Sequence, residues 1–204
     1  MSINAALLIN ILDKFDTNKE NFDIINQDIL NELMFFLSRQ GIRIRKNKIE
    51  NCIYNKLSIA LIAINMGINV VDISSKLNWH DFELFSSELL KYHGYTVYTN
   101  FRLKSPTREI DVVGIKSHKA LLIDCKHWKK KSINGLNQIV EKQKNRCKLF
   151  IQKSNMNIQN VFPIVLTFLP NGKNFINEVP IISINKFNSF LLDFENLNHH
   201  FFKL

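Results

Sequence analysis

Three charged residues in two apolar segments are the residues of this chain best suited to chemistry. Asp111 lies in the segment 108–115, and Asp124 and Lys126 lie in the segment 120–126. Carboxylate oxygens are hard ligands that suit Mg²⁺ or Mn²⁺, and a lysine ammonium group neutralises nearby negative charge. The three side chains therefore suit a divalent-metal site, provided that the fold brings them together.

A β-hairpin would bring them together, because a short polar turn separates the two apolar segments. A loop centred between residues 117 and 118 pairs residues whose numbers sum to 235. Asp111 then faces Asp124, and Glu109 faces Lys126. Facing Cβ atoms lie about 4.5–5.5 Å apart, and like charges at that distance destabilise apolar strands unless a cation joins them. Lys126 supplies part of this positive charge, and a bound divalent ion would supply the rest.

The residues that alternate with these charges are apolar and are predicted to point to the other side of the hairpin. Cys125 is among them, so it is interpreted as a small core residue rather than a nucleophile. An alternative interpretation is an edge hairpin with a solvated polar face and a simple Lys–Asp ion pair. The alternating apolar residues are Ile110, Val112, Leu121, Ile123 and Cys125.

The segments around the hairpin predict an α/β domain with a mixed sheet over residues 79–204. An amphipathic helix begins at Trp79 and is closed by Gly94. The elements that follow have the order αβββαβ(β)α. They are strands at Tyr95–Phe101, Glu109–Ile115 and Ala120–Cys125, a helix at Gly135–Gln152, strands at Val161–Phe168 and Pro180–Ile184, and a helix from Asn185 onward.

Residues 1–78 have helical periodicity and are predicted to form a separate, small all-helical domain. Ser58–Leu77 has the proportions of a helix-turn-helix, with Gly67 in the turn. Three interpretations of this region are open. The second helix contacts DNA, the domain serves dimerisation, or the motif is a plain helical corner without a binding function. The predicted helices are one with Ala5, Leu8, Ile9 and Leu12 on one face, then Ile24–Leu37, Ile49–Met66 and Val70–Leu77.

The positive charge is concentrated in the second part of the chain. The whole chain has 27 basic and 18 acidic residues, a net charge of +9, and residues 79–204 carry nearly all of the excess. Such a field favours a polyanion, either nucleic acid or an anionic membrane, although a merely solvated basic surface is an alternative. The candidate phosphate contacts are Lys129, Lys130, Lys131, Lys142, Lys144, Arg146 and Lys148, with Arg102, Lys104 and Arg108 across a cleft.

The cysteines and the apolar segments bear on the cellular compartment. Three cysteines without a CxxC spacing argue against a disulfide framework, so a reducing cytoplasm is expected. Met1–Leu12 has no basic leader or cleavage site of a signal peptide. The longest apolar stretch, Leu57–Ile64, is too short to span a bilayer, so no membrane association is expected.

Three separated segments resemble, in order, the PD-(D/E)xK nuclease superfamily. The resemblance is closest to its Mrr-type restriction endonuclease-like and archaeal Holliday-junction-resolvase-like members, and it covers roughly residues 79–170. In the last segment an Asp stands where these proteins have Glu. The matching residues are Phe82-Glu83, Leu89-Leu90, Gly94-Tyr95 and Val97, then Glu109 to Val113, then Asp124-Cys125-Lys126-His127-Trp128.

The resemblance implies a restriction-endonuclease-like αβββαβ core and a metal-dependent DNA endonuclease of the restriction, repair or junction-resolving type. Asp111, Asp124 and the Cys125 carbonyl would bind Mg²⁺ or Mn²⁺. Glu83 would bind a second ion or a metal-bound water. Lys126 would position or deprotonate the attacking water and neutralise the phosphate.

The resemblance leaves some features of the site and of the function undecided. The family often has a Gln on the helix after the lysine strand, and both Gln138 and Gln143 are available. Duplex cleavage implies a homodimer, because one site cuts one strand. The alternative functions are a nucleic-acid-binding protein that uses a nuclease fold without cutting, and an RNA-directed nuclease.

Overall fold

The structure is a computed structural model of the chain. It describes residues 5–15, 27–46, 48–69, 72–73, 76–104, 106–126, 133–154, 156–168, 170 and 172–204. Its internal contacts divide the chain into two compact units, Met1–Asp81 and Phe82–Leu204. The sequence-based domain boundary after residue 78 stays a prediction.

The first unit contains three described helices and one short hairpin. Leu8, Leu12, Leu33, Leu37 and Leu57 are fully buried and form part of its apolar interior. The prediction of an all-helical domain is wrong in one respect, because two short strands pair within this unit. The elements are α1 (Ala5–Lys14), α2 (Gln27–Arg39), β1 (Ile44–Arg45), β2 (Lys48–Ile49) and α3 (Ile53–Asn65).

A buried asparagine explains why this hairpin forms. The Asn55 side chain accepts a hydrogen bond from the Arg43 N–H at 2.8 Å and donates to the carbonyls of Arg43 and Glu50 at 2.8 and 2.9 Å. These bonds hold both ends of the hairpin at the start of α3. The predicted helix from Ile49 therefore begins four residues later, at Ile53.

The predicted helix-turn-helix is only partly within the described residues. Its first helix corresponds to α3, and Gly67 follows that helix with φ +92 and an N–H bond to the Ile64 carbonyl at 2.9 Å. Residues 70–71 and 74–75 of the second helix lie outside the described residues. The motif therefore stays a prediction.

The second unit has a six-stranded mixed sheet with the predicted αβββαβ order. The restriction-endonuclease-like fold class is confirmed. The order of strands is β3-β4-β5-β6-β8-β7, with β5, β6 and β8 parallel and the other neighbours antiparallel. The elements are α4 (Trp79–Tyr92), β3 (Thr96–Leu103), β4 (Arg108–Lys116), β5 (Lys119–Lys126), α5 (Ile133–Lys153), β6 (Asn160–Thr167), β7 (Phe175–Ile176), β8 (Val179–Ser183), α6 (Ile184–Leu197) and a 3₁₀ turn (Asn198–His200).

A capping box begins α4, the helix that carries Glu83. The Asp81 N–H donates to Asn78 Oδ1 at 3.0 Å, and the Asn78 N–H donates to Asp81 Oδ2 at 2.8 Å. Within the first unit, which extends to Asp81, Lys56 Nζ lies 3.1 Å from the same Asp81 oxygen, and both side chains are buried. The helix ends at Tyr92, and Gly94, the predicted closing residue, follows it with φ +80. None of the described helices combines the length and apolar character that crossing a membrane requires.

Close contact between α4 and the sheet explains Gly114. A Cβ atom at this position would lie 2.9 Å from Leu90 Cδ1 and 3.0 Å from Leu90 Cδ2. Leu90 is fully buried, so it has little room to move. The absence of a side chain in the middle of β4 therefore lets α4 approach the strand that carries Asp111.

We expect Gly114→Ala to lower the free energy of unfolding by about 1–3 kcal/mol, because it overpacks this contact. Chemical denaturation of the wild type, Gly114→Ala, Leu90→Ala and the double variant measures the coupling. The smaller residue at 90 should relieve the clash, so the double variant should lose less stability than the two single losses together. Strictly additive losses would contradict this explanation of Gly114.

Candidate active site

The predicted register of the central hairpin is confirmed. β4 and β5 pair from Lys116 with Lys119 to Val112 with Ile123, and each pair of residue numbers sums to 235. The two turn residues, 117 and 118, have φ +48 and +62, as in a type I′ turn. The turn and the alternation of apolar residues therefore set Asp111 and Asp124 at the same end of the hairpin.

Asp111 reaches β5 through its side chain. The backbone ladder between the two strands ends at Val112 and Ile123. One residue further, Asp111 Oδ2 accepts a hydrogen bond from the Cys125 N–H at 2.7 Å. This bond fixes the carboxylate next to the segment that carries Asp124 and Lys126.

The predicted pairing of Glu109 with Lys126 is wrong. Glu109 faces Arg102 on β3, and the two side chains form an ion pair of 3.0 Å between Arg102 Nε and Glu109 Oε2. The prediction assumed that the ladder between β4 and β5 continues beyond Val112, and it does not. Glu109 is therefore a surface residue, and the hairpin gathers two carboxylates, not three.

Asn100 interrupts the regular strand opposite Asp111. The β3–β4 ladder passes from Thr99–Val112 to Phe101–Ile110 and omits Asn100 and Asp111, which face each other. Asn100 has φ +51, in the left-handed region that asparagine tolerates better than most residues. The sequence-based prediction placed Ile110 on the same side of the strand as Val112 because side chains alternate. The alternation is interrupted at Asp111, so this prediction does not hold for Ile110. The sequence contained a signal for this interruption, because asparagine is uncommon in the middle of a strand.

Asp124 is a buried carboxylate held between two cations. Its side chain is 1% exposed, Arg146 Nη1 donates to Oδ1 at 2.6 Å, and Lys126 Nζ lies 2.8 Å from Oδ2. The contact with Lys126 lacks hydrogen-bond alignment, so Oδ2 has no hydrogen-bond partner within the described part of the chain. The prediction treated Arg146 only as a phosphate contact, whereas the structure pairs it with Asp124.

Gln143 rather than Gln138 belongs to this group of side chains. Gln143 is fully buried, donates to the Leu122 carbonyl at 2.8 Å and accepts from Arg146 Nη1 at 3.0 Å, whereas Gln138 is exposed. The sequence carried a signal for this, because Gln143 interrupts an otherwise apolar helical stripe. The buried apolar members of that stripe are Leu136, Ile139, Val140, Cys147 and Phe150.

Glu83 and Cys125 lie on the α4 side of the site. The Ser86 hydroxyl donates to the Glu83 carbonyl at 3.0 Å and lies 3.8 Å from Cys125 Sγ. Burial raises the pKa of the Cys125 thiol well above its ordinary value, and the charges of Asp111, Asp124 and Glu83 raise it further. The thiol is thus a protonated core group, as the strand pattern predicted.

Four basic residues line a cleft of about 730 Å³, and one of them is the Arg146 that bonds to Asp124. They are Arg108, Lys142, Arg146 and Lys148, and we call this group the basic cleft. Arg102 and Lys104 are exposed but are not among its lining residues. Lys144 lies 4.0 Å from the centre of the Phe202 ring. The predicted contacts Lys129, Lys130 and Lys131, together with His127 and Trp128, lie outside the described residues.

Comparison with known proteins places this geometry in a family. A family model described as NERD, nuclease-related domain, matches residues 78–184, just over half of the chain. The chain belongs to the NERD family. The resemblance to PD-(D/E)xK nucleases is thereby confirmed at the level of the superfamily.

Other comparisons add little to this assignment. No curated protein matches the chain. A solved structure, the protein VC1899 from Vibrio cholerae, has 14% identity and a TM-score of 0.42, and the match covers 96% of this chain and 51% of that one. The chain thus spans about half the length of VC1899, and a likeness this weak supports no functional argument.

The carboxylates of this NERD protein fit a magnesium-type ion by the chemistry of their atoms. Mg²⁺ is usually held by one or two carboxylates plus water and substrate phosphate. Asp111 and Asp124 supply two, and Asp124 Oδ2 is a buried oxygen without a hydrogen bond among the described residues. The described residues include no group of three Asp, Glu, His or Cys side chains that could hold a metal. The role of Glu83 therefore stays a prediction.

Burial and the charge of Asp124 raise the pKa of Asp111 above its ordinary value of 3.8. The Cys125 N–H bond and the charges of Lys126 and Arg146 oppose this rise. A raised carboxyl pKa means that the folded chain binds the proton more tightly than the unfolded chain. Ionisation of Asp111 therefore lowers stability as pH rises through the raised pKa.

We expect Asp111→Asn to stabilise the NERD protein at pH 7 in EDTA, because it removes the charge and keeps an oxygen for the Cys125 N–H. The increase in Tm should be about 2–4 °C, or roughly 1 kcal/mol for a chain of this size. It should shrink as pH falls through the raised pKa and should be absent well below pH 3.8, where the wild-type carboxyl is protonated in both states. Thermal unfolding followed by circular dichroism across this range measures it.

Asp193→Asn is the matched control, because Asp193 is exposed on α6. Its Tm should equal that of the wild type at each pH. A lower Tm for Asp111→Asn than for the wild type at pH 7 would show that the two carboxylates are not under repulsive strain.

Proposed function

We propose that this NERD protein is a metal-dependent DNA endonuclease that hydrolyses phosphodiester bonds, of the restriction, repair or junction-resolving type. The observation that carries the proposal is the meeting of Asp111 and Asp124 at the open end of one hairpin, with Lys126 Nζ 2.8 Å from Asp124. Two repelling carboxylates beside an ammonium group are costly to stability, and a metal-dependent reaction accounts for them.

Each residue has a proposed role. Asp111, Asp124 and the Cys125 carbonyl would hold Mg²⁺ or Mn²⁺, with Glu83 binding a second ion or its water. The bound ion supplies Lewis-acid stabilisation of the phosphate charge. As an ammonium group, Lys126 would orient the attacking water and offset the charge of the phosphate. As a neutral amine, it would instead accept the proton of the water and become the ammonium group. The Cys125 N–H keeps the Asp111 carboxylate in place for this task.

The basic cleft supports a nucleic acid as the substrate. One of its four cations, Arg146, bonds to Asp124, so a phosphate backbone bound there would reach the guanidinium that holds this carboxylate. Lysine and arginine contacts to phosphates give affinity without reading sequence. The proposed substrate is DNA rather than RNA. The proposal also includes a homodimer, because one site cuts one strand and a duplex has two. A reducing cytoplasm also belongs to it, in accord with three free cysteines.

One observation favours a second candidate, a nucleic-acid-binding protein that does not cut. Both carboxylate oxygens of Asp124 already face a cation, Arg146 on one side and Lys126 on the other. In a binding module this arrangement would be permanent. The endonuclease requires that the ion share or replace one of these contacts.

We expect the wild type to cut DNA with Mg²⁺ or Mn²⁺ and not with EDTA. Supercoiled, linear, single-stranded and branched DNA, and RNA of matched sequence, are the test substrates on a gel. Asp111→Ala and Lys126→Ala should each reduce the cleavage rate at least about 100-fold, which is the scale expected for loss of a group acting at the reacting phosphate. Cleavage of RNA in preference to DNA would contradict the proposed substrate and indicate an RNA-directed nuclease.

Asp193→Asn and Lys186→Ala are the matched controls, because both residues are exposed on α6. They should cut at the wild-type rate. Binding without metal-dependent cleavage of any substrate would favour the binding module. Full cleavage by Asp111→Ala would remove the site assignment.

We expect the double variant Lys142→Ala with Lys148→Ala to bind duplex DNA more weakly, because both lysines line the basic cleft. Fluorescence anisotropy in EDTA at several salt concentrations measures the affinity. The slope of log affinity against log salt should fall by about 2, close to one unit for each lost phosphate contact. The exposed pair Lys173 and Lys186 supplies the control variant. An equal effect of both double variants would mean that the cleft is not the binding surface.

A further inference from the structure

Arg146 belongs at once to the carboxylate site and to the basic cleft. Its guanidinium donates to Asp124 Oδ1 at 2.6 Å, and the residue also lines the cleft with Arg108, Lys142 and Lys148. Its side chain is 23% exposed, so it joins a buried carboxylate to solvent. No other described residue lines the cleft and bonds to Asp124.

The position of Arg146 is set by an anchored partner. Nη1 makes both the bond to Asp124 Oδ1 and the bond to Gln143 Oε1, at 2.6 and 3.0 Å. Gln143 is itself fixed by its bond to the Leu122 carbonyl, two residues before Asp124 on β5. A guanidinium carries five N–H donors, so Nε and Nη2 remain for a phosphate in the cleft.

Arg146 has the charge that a metal ion would bring to Asp124. A buried ionised carboxylate needs a positive partner, and Arg146 supplies one. A divalent ion at the same carboxylate would be repelled by the guanidinium and would compete with it for an oxygen. A phosphate in the cleft would attract the guanidinium in the other direction, because arginine binds phosphate in a favourable two-point geometry.

We propose that Arg146 is a positioning residue that occupies Asp124 until a phosphate backbone enters the basic cleft, so that the divalent ion and the nucleic acid bind cooperatively. This inference rests on the proposed function, because it presumes that Asp111 and Asp124 bind a divalent ion. It adds that the ion binds weakly to the protein alone. By thermodynamic linkage, the ion must then raise the affinity for nucleic acid by the same factor.

The test measures binding, not cleavage. Free Mn²⁺ is followed by electron paramagnetic resonance during titration of the full chain, with and without a saturating 12-base-pair duplex whose linkages are all phosphorothioate. The duplex alone is titrated in parallel. In the reciprocal experiment, anisotropy of the same labelled duplex is measured with Mn²⁺ and with EDTA. For the wild type we expect each ligand to raise the affinity for the other by at least about fivefold.

Arg146→Gln is the informative variant, and Lys148→Gln is its matched control. Both remove one positive charge from the cleft, but only Arg146 bonds to Asp124. Arg146→Gln should bind Mn²⁺ without the duplex about fivefold more tightly than the wild type, and the duplex should then add little. Lys148→Gln should keep the wild-type cooperativity while binding the duplex more weakly.

The outcomes separate this inference from the proposed function. Wild-type Mn²⁺ affinity that is independent of the duplex overturns the inference, and this result needs no variant to fold. If Arg146→Gln and Lys148→Gln change cooperativity equally, the inference is also wrong, although the metal site stands. Absence of Mn²⁺ binding by the wild type under all conditions overturns both the inference and the proposed metal-dependent activity.

Discussion

The buried charge of Asp124 is the constraint on which the organisation of the second unit depends. A carboxylate with 1% exposure is stable in its charged form only when cations reach it inside the protein. Lys126 is two residues further along the same strand, and Arg146 comes from α5. The carboxylate thereby ties the helix to the strand, and α5 must pack on the sheet with Arg146 at the level of Asp124.

The polar contacts of α5 specify its position, while its apolar contacts supply most of the stabilisation. Cys147 and Phe150 pack with Val113 and Leu122 in a buried cluster, and this packing is non-directional. Gln143 in contrast has one acceptor to reach, the Leu122 carbonyl. A buried amide without its partner costs more than the hydrogen bond itself contributes. Small rotations or shifts of α5 are therefore disfavoured, and Arg146 is held next to Asp124.

Local features of the sequence were sufficient to predict the hairpin but not the network around it. Turn position and alternation fixed the register, because a shift by one residue would turn every apolar side chain to the wrong face. The pairing of Arg146 with Asp124, 22 residues earlier in the chain, depends on the rotation of α5, and no local period in the sequence reports that rotation. Glu109 was misplaced for a related reason, since alternation does not reveal where a ladder ends.

The end of that ladder explains how two repelling carboxylates come to share one site. Regular pairing beyond Val112 would fix Asp111 by its backbone and hold its side chain rigidly against Asp124. Instead the Asp111 carboxylate accepts a hydrogen bond from the Cys125 N–H. On the β3 side, Asn100 has a left-handed backbone conformation and departs from the regular strand. Backbone pairing is lost on both sides of Asp111. The bond to a backbone N–H favours the ionised carboxylate, as the charges of Lys126 and Arg146 also do. Sheet regularity is thus given up at the residue whose charge a metal-dependent reaction would need.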